Sequence, residues 1–208
     1  MYKLPYFQEQ DAATIKEFIK DHPFVCLTGV DQEQRPVATQ VPVLPEWKED
    51  ELFLYGHMMR QTDHHKAFSQ NPHALALFTG AHCYVSASWY SNPAQGSTWN
   101  YMTVHARGKI RFLEESELRE ILRKTTAHFE GNPRSGANYE DLSEAYISKL
   151  VPAIAGFEMK VTRLDNVFKL SQNRDEASYK NIIRQLRDGN EAARSIASEM
   201  EKREAWTK

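Results

Sequence analysis

Hydrophobic periodicity divides the chain into segments of different kinds. Ala12, Ile15, Phe18 and Ile19 recur at helical spacing, with Asp11 placed to cap that helix and Pro23 to end it. Phe24–Val30 is a continuous apolar run of strand length. Further strands are expected at 36–44 and 51–57, with polar turns at 31–35 and 45–50. Links this short favour antiparallel pairing over a helical crossover. A short helix capped by Thr62 and stopped before Pro72 follows. Two strands, 73–79 and 83–88, are expected on either side of a turn at Gly80. After a loop holding Pro93 and Gly96, 101–112 is the longest strand candidate. Val104, Ala106, Ile110 and Phe112 fall on one of its faces, and His105, Arg107, Lys109 and Arg111 on the other.

The second half is richer in helices. Ser116 is expected to cap a helix carrying Leu118, Ile121, Leu122, Thr125 and Phe129, closed by Gly131. Asn138 opens another that runs to Leu150. A hairpin is expected about Asp165-Asn166, between strands 154–164 and 167–171. In the tail, Tyr179, Ile182, Ile183 and Leu186 form one apolar stripe. Gly189 interrupts it, Asn190 recaps, and Ala193, Ile196 and Met200 continue it. So polar a tail needs a surface to pack on. Strands grouped together, not alternating with helices, point to an α+β, mainly β fold: a closed or nearly closed antiparallel barrel with peripheral helices.

Composition narrows the function classes. A net charge of −2 over 208 residues has the wrong sign for a domain held to nucleic acid mainly by phosphate neutralisation. Cys26 and Cys83 each sit in an apolar run, as small buried hydrophobes in a reducing compartment would. The start has no signal-peptide pattern, and no stretch approaches the ~20 apolar residues that span a bilayer. A soluble, cytoplasmic protein with no membrane contact is expected.

Two stretches carry candidate chemistry. The segment 85–112 brackets a polar loop with Trp89, Tyr90, Trp99 and Tyr101. Aromatic rings are costly to leave in water, so they wall either a ligand or the underlying barrel. In Gly56-His57-Met58-Met59-Arg60-Gln61-Thr62-Asp63-His64-His65-Lys66 a strand ends and a helix begins. Arg60, Lys66, the Thr62 hydroxyl and unpaired helix-start N–H groups converge there as for a phosphate. Asp63 opposes that reading, since its carboxylate answers the helix dipole itself. A flat phosphorylated ligand satisfies both stretches, whether flavin mononucleotide (FMN), pyridoxal phosphate or a nucleotide. Adjacent His64 and His65 diverge by ~100° on a helix and do not form a metal pair. No serine-hydrolase elbow or dinucleotide fingerprint is present.

The strings HPFVCLTG, LYGHMMRQTDHHKAF, YVSASWY, STWNYMTVHARGKIRFL, AIAGFEMKVTRL and FKLSQNR resemble the PaiB-type FMN-binding negative transcriptional regulators, in order, to about Arg174. The resemblance implies an antiparallel split β-barrel of the pyridoxamine-phosphate-oxidase type. A barrel domain at 1–174 would carry inserted helices, and a helical extension at 175–208 would pack on the body or a partner subunit. It also implies a homodimer with FMN at the subunit interface. Arg60 and Lys66, with Thr62, match the phosphate-holding positions, although the oxidases' Ser-Arg-Lys run is not reproduced. The strand holding Val41 would give backbone contacts to the flavin ring. His57, Ser88, Trp99, Asn100 and Gln172 complete the expected cofactor-binding set, with catalytic residues unassigned. The family implies negative regulation of transcription, by DNA contact direct or indirect. Direct contact would use the Arg107 row or Arg184, Arg187 and Arg194. A flavin-dependent oxidoreductase is the alternative, since a flavin carries its own redox chemistry. Haem held by His57, His82 or His105 is a third reading.

Overall fold

The computed structural model describes residues 1–2 and 4–204. Seven strands form one antiparallel sheet: β1 (Phe24–Val30), β2 (Pro36–Pro42), β3 (Leu44–Lys48), β4 (Glu51–Met59), β5 (His73–Val85), β6 (Thr98–Phe112) and β7 (Ile154–Lys169). Their order across the sheet is β2-β1-β5-β6-β7-β4-β3. Six α-helices accompany them: α1 (Ala12–Asp21), α2 (Asp63–Gln70), α3 (Glu115–Glu130), α4 (Glu144–Leu150), α5 (Glu176–Arg187) and α6 (Glu191–Glu204).

The chain groups into two compact units. The first comprises residues 19–78 and 105–164. Here β1 pairs with both β2 and β5, and β4 with both β3 and β7, all antiparallel. Although β2 and β4 are far apart in strand order, the sheet curls until they meet. A Cβ on Gly56 of β4 would lie 2.9 Å from the Pro42 carbonyl oxygen and 2.8 Å from the Phe157 ring. Absence of a side chain at Gly56 is what permits that approach. Val25, Leu27, Leu54, Phe78, Ala106, Phe157 and Met159 are buried in this core. Outside it, Leu118 and Leu122 of α3 pack with Tyr139, Ile147, Val151 and Ile154.

The second unit comprises residues 1–18, 79–104 and 165–208. Tyr179, Ile182, Ile183 and Leu186 of α5 are buried, as are Ala193, Ile196, Ala197 and Met200 of α6. Asn190 caps α6 as expected, accepting from the Ala193 N–H at 3.0 Å, and Asp175 caps α5, accepting from the Ser178 N–H at 3.0 Å.

Several sequence boundaries are corrected. Gly80 makes no turn, because β5 runs straight through it. The buried positions change from even (Ala74, Ala76, Phe78, Gly80) to odd (Cys83, Val85) near it, which breaks the alternation without ending the strand. Asp165-Asn166 also makes no turn, and β7 is continuous. Asn166 instead accepts from the Glu9 N–H at 2.8 Å and donates to the Glu9 carbonyl at 3.0 Å, using its amide as a substitute peptide. The 45–50 turn contains β3, whose Pro45 is tolerated because β3 ends the sheet. Glu114, not Ser116, caps α3, through a reciprocal pair with Glu117, while Gly131 closes it in the left-handed conformation (φ 59°). Phe129 on that helix is exposed. Asn138 opens only a short 3-10 turn, and Ser143 caps α4.

Candidate functional site

The strand-to-helix junction lies wholly within the first unit. After β4 the chain turns through Gln61 (φ 66°), and the Thr62 hydroxyl accepts the His65 N–H at 3.3 Å to start α2. Arg60 is fixed at its base: its N–H donates to the Ala153 carbonyl at 2.9 Å and its Nε to the Ile154 carbonyl at 2.7 Å. The rest of the guanidinium is exposed, and among the described residues no acid pairs with Arg60 or with exposed Lys66. Asp63, the one acid between 56 and 66, is occupied by His64, accepting its N–H at 2.8 Å and lying 3.1 Å from its Nδ1. The opposition expected from Asp63 is thus present, since its carboxylate takes a helix-start N–H that a ligand would otherwise use.

Two histidines there have orphaned atoms. The Nδ1 atoms of His57 and His65 are buried and lack a hydrogen-bond partner. Burial holds the His57 imidazole below its usual range of protonation. His65 packs on Phe112, with ring centroids 4.9 Å apart. Its proton affinity is lowered by burial first, then by the charges of Arg60, His64 and Lys66. Cations repelling one another around a helix start form a site whose missing component is an anion. A phosphate monoester fits a donor set of a guanidinium and an ammonium, while the His64 and His65 N–H groups at the helix start are taken by Asp63 and Thr62. Val41, in the same unit, has its side chain buried, while β2 is an end strand with one backbone edge outside the ladder.

In the second unit the aromatic loop is tied down by the motifs that made the sequence distinctive. The Ser91 N–H donates to Ser178 Oγ at 2.8 Å, and Ser91 Oγ donates to Asp175 at 2.9 Å. Ser178 Oγ also donates to Asp175, at 2.6 Å. These bonds, those from Ser178 foremost, pull the Asp175 carboxyl down to about 2. Asn181 donates to the Trp89 carbonyl at 2.8 Å, and the Arg174 guanidinium lies 4.0 Å from the centre of the Tyr90 ring.

Three of the four expected site residues here are engaged internally. Asn100 is fully buried, accepting from Ser171 Oγ at 3.0 Å and donating towards Met200 sulfur at 3.5 Å. Gln172 accepts the Leu170 N–H at 2.7 Å and donates to the Phe168 carbonyl, folding back on the end of β7. Exposed Ser88 pairs its hydroxyl with that of Ser86 at 2.8 Å. Trp99 differs, being 53 % exposed beside Tyr84 and His82, with ring centroids 6.0 and 6.1 Å away. These rings, with Trp89 and Gln185, line an open groove of about 550 Å³. Burial pushes the neighbouring Cys83 thiol up to about 11, so it is not a nucleophile at neutral pH.

His57, Arg60, Thr62 and Lys66 are therefore brought into one segment, with Val41 in the same unit, while Ser88, Trp99, Asn100 and Gln172 belong to the other. Sequence reasoning did not single out His65 as a site residue. Its signal was position: third in the helix, between the two cations already singled out.

Comparison with known proteins supplies the family. Residues 1–163 match the family described as "Putative FMN-binding domain". The chain is 33 % identical over 202 residues to the protein named "Protease synthase and sporulation protein PAI 2" of Bacillus subtilis, covering 97 % of each. In fold it is similar to the FAD and haem binding protein of Mycobacterium smegmatis (TM-score 0.59, 14 % identity, 78 % of this chain and 73 % of that one). It is likewise similar to the flavocytochrome Anf3 of Azotobacter vinelandii (TM-score 0.59, 15 % identity, 86 % and 78 %). Strand order, barrel closure and these matches agree on an antiparallel split β-barrel with FMN as its cofactor. The chain belongs to the PaiB-type FMN-binding split-barrel family.

Proposed function

We propose that this protein is an FMN-dependent negative regulator of transcription whose phosphate anchor is the β4–α2 junction. Arg60 and Lys66 hold the phosphate of FMN, with Thr62 capping the helix that carries Lys66. The observation that carries this reading is the cluster of cations around His65 with, among the described residues, no acid paired to Arg60 or Lys66. The free backbone edge of β2, around Val41, is suited to the polar rim of the flavin ring. His57 and Trp99 are further candidates for ring contacts. Ser88, Asn100 and Gln172 support the barrel more than the ligand, since their polar groups are already paired. Bound FMN would supply one- and two-electron redox chemistry, and the chain itself supplies binding and orientation.

The protein acts as a homodimer with FMN at the subunit interface, where half-exposed Trp99 and Tyr84 would be covered. The regulatory role rests on the family resemblance and on the Bacillus subtilis relative, whose name refers to protease synthase and sporulation. Indirect regulation is favoured by the charge pairing. Arg111 is bound to Glu117 and Glu158, and Arg187 to Glu201. Cations neutralised by the protein contribute little counterion release on DNA. Titrating the protein with FMN while following flavin fluorescence, together with a sizing column, tests the binding reading; no saturable quenching would defeat it. A gel shift at near-physiological salt tests the indirect mode, which tight binding to an upstream fragment would overturn.

A further inference from the structure

His64 and His65 follow directly on the proposed phosphate anchor, and the two differ in a way that bears on the ligand. His64 has a carboxylate partner, Asp63, at 3.1 Å. His65 has none: its Nδ1 is buried without a hydrogen bond, and its ring lies on the uncharged ring of Phe112. The charged groups that act on it are Arg60 from the turn after β4, and His64 and Lys66 from its own helix, all cationic or able to become so. Each disfavours a further positive charge.

We propose that His65 is a proton-dependent third cation of the phosphate site, which takes up a proton when a phosphate dianion binds to Arg60 and Lys66. This inference rests on the β4–α2 anchor being the FMN phosphate site. Its physical basis is reciprocity. Burial does most to keep His65 neutral in the free protein, and the charges that add to it are ones a dianion neutralises. The ligand therefore raises the proton affinity of His65, and a proton on His65 raises the affinity for the ligand. The direction follows from linkage. His65 binds its proton more tightly in the complex than in the free protein. The gain in affinity is complete below the free protein's titration and disappears as pH rises through that of the complex. The selectivity follows too: FMN, with its phosphate, gains from the effect, and riboflavin, without one, does not.

The test measures the dissociation constants of FMN and riboflavin between pH 5.5 and 8.5, for the wild type, His65→Phe and His65→Gln. Phe keeps a ring against Phe112 and removes the titrating group; Gln keeps a polar edge should the ring variant fold poorly. The phosphate of FMN itself titrates near pH ~6, but it does so in every protein and cancels in the comparison. A one-unit rise in the proton affinity of His65 corresponds to about tenfold in FMN affinity between the pH limits. We expect the wild type to show that gain at low pH over either folded variant, all three to converge within about twofold at pH 8.5, and riboflavin to show no difference. Calorimetry of FMN binding in two buffers of different ionisation enthalpy should give more proton uptake for wild type than for the variants near pH 6.5. Superimposable FMN profiles for wild type and a folded variant would overturn the proposal while leaving the anchor intact. Unchanged FMN affinity in an Arg60→Ala/Lys66→Ala protein would instead remove the anchor, and the proposal with it.

Discussion

The β4–α2 junction and the aromatic loop after β5 both stand out in the sequence, yet their polar groups are used in opposite ways. At the loop, Ser91, Asp175 and Ser178 are joined by hydrogen bonds, Asn181 donates to the Trp89 carbonyl, and Arg174 covers Tyr90. At the junction, among the described residues, Arg60 retains free donors, Lys66 has no acid, and His65 is destabilised as a cation by burial and then by both. A distinctive motif can thus be internal wiring. A ligand site is marked instead by charge the protein leaves unanswered, because buried or clustered polar groups without partners cost free energy that a ligand can recover.

The contrast is broken most strongly by removing the junction's cations. Arg60→Ala with Lys66→Ala should weaken FMN binding by about 100-fold or more, each charge-assisted contact contributing roughly 1.5–3 kcal/mol. The thermal midpoint should move little, since among the described residues the Lys66 ammonium has no partner and the Arg60 side chain bonds only the Ile154 carbonyl. Next, Ser178→Ala leaves Ser91 and Asp175 without their shared partner, and should cost about 1–3 kcal/mol in a denaturant titration. FMN affinity should change less than threefold. Thermal melts of the wild type and Asp175→Asn across acid pH probe the loop differently. Asp175 titrates at about 2, below its ordinary 3.8, so its contribution is present above about pH 4 and fades as pH falls through 2. Asn at this position should erase that acid-dependent difference. The smallest effect is expected from Trp99→Ala. With its ring 53 % exposed, the change should shift stability by under ~1 kcal/mol. Any loss of flavin quenching would then assign the ring to the ligand wall.

Helix stripes and the caps at Thr62 and Asn190 were legible in the sequence because they are local, whereas those of α3 and α4 were not: α5 and α6 fall where Tyr179–Leu186 spacing and the Gly189-Asn190 break put them. The limits of β1 were also clear, as a strand bounded by Pro23 and a polar turn. What the sequence concealed was non-local. Gly80 and Asp165-Asn166 have turn chemistry, but in the fold one is buried within a strand and the other is paired with distant Glu9. The same limit governed the site. Arg60, Thr62 and Lys66 could be named from spacing on one short segment. Asn100 and Gln172 could not be judged without knowing that Ser171, Met200 and Phe168 reach them.

The central claim is that the unanswered charge at Arg60 and Lys66 exists to hold the phosphate of FMN. Its most direct measure is the ratio of riboflavin to FMN dissociation constants for the wild type and for Arg60→Ala/Lys66→Ala under one salt condition. The two ligands differ only by the phosphate. The account predicts that the wild type favours FMN by about 100-fold or more, and that the double variant loses most of that preference while riboflavin affinity is unchanged. Equal preference for FMN in both proteins would contradict it.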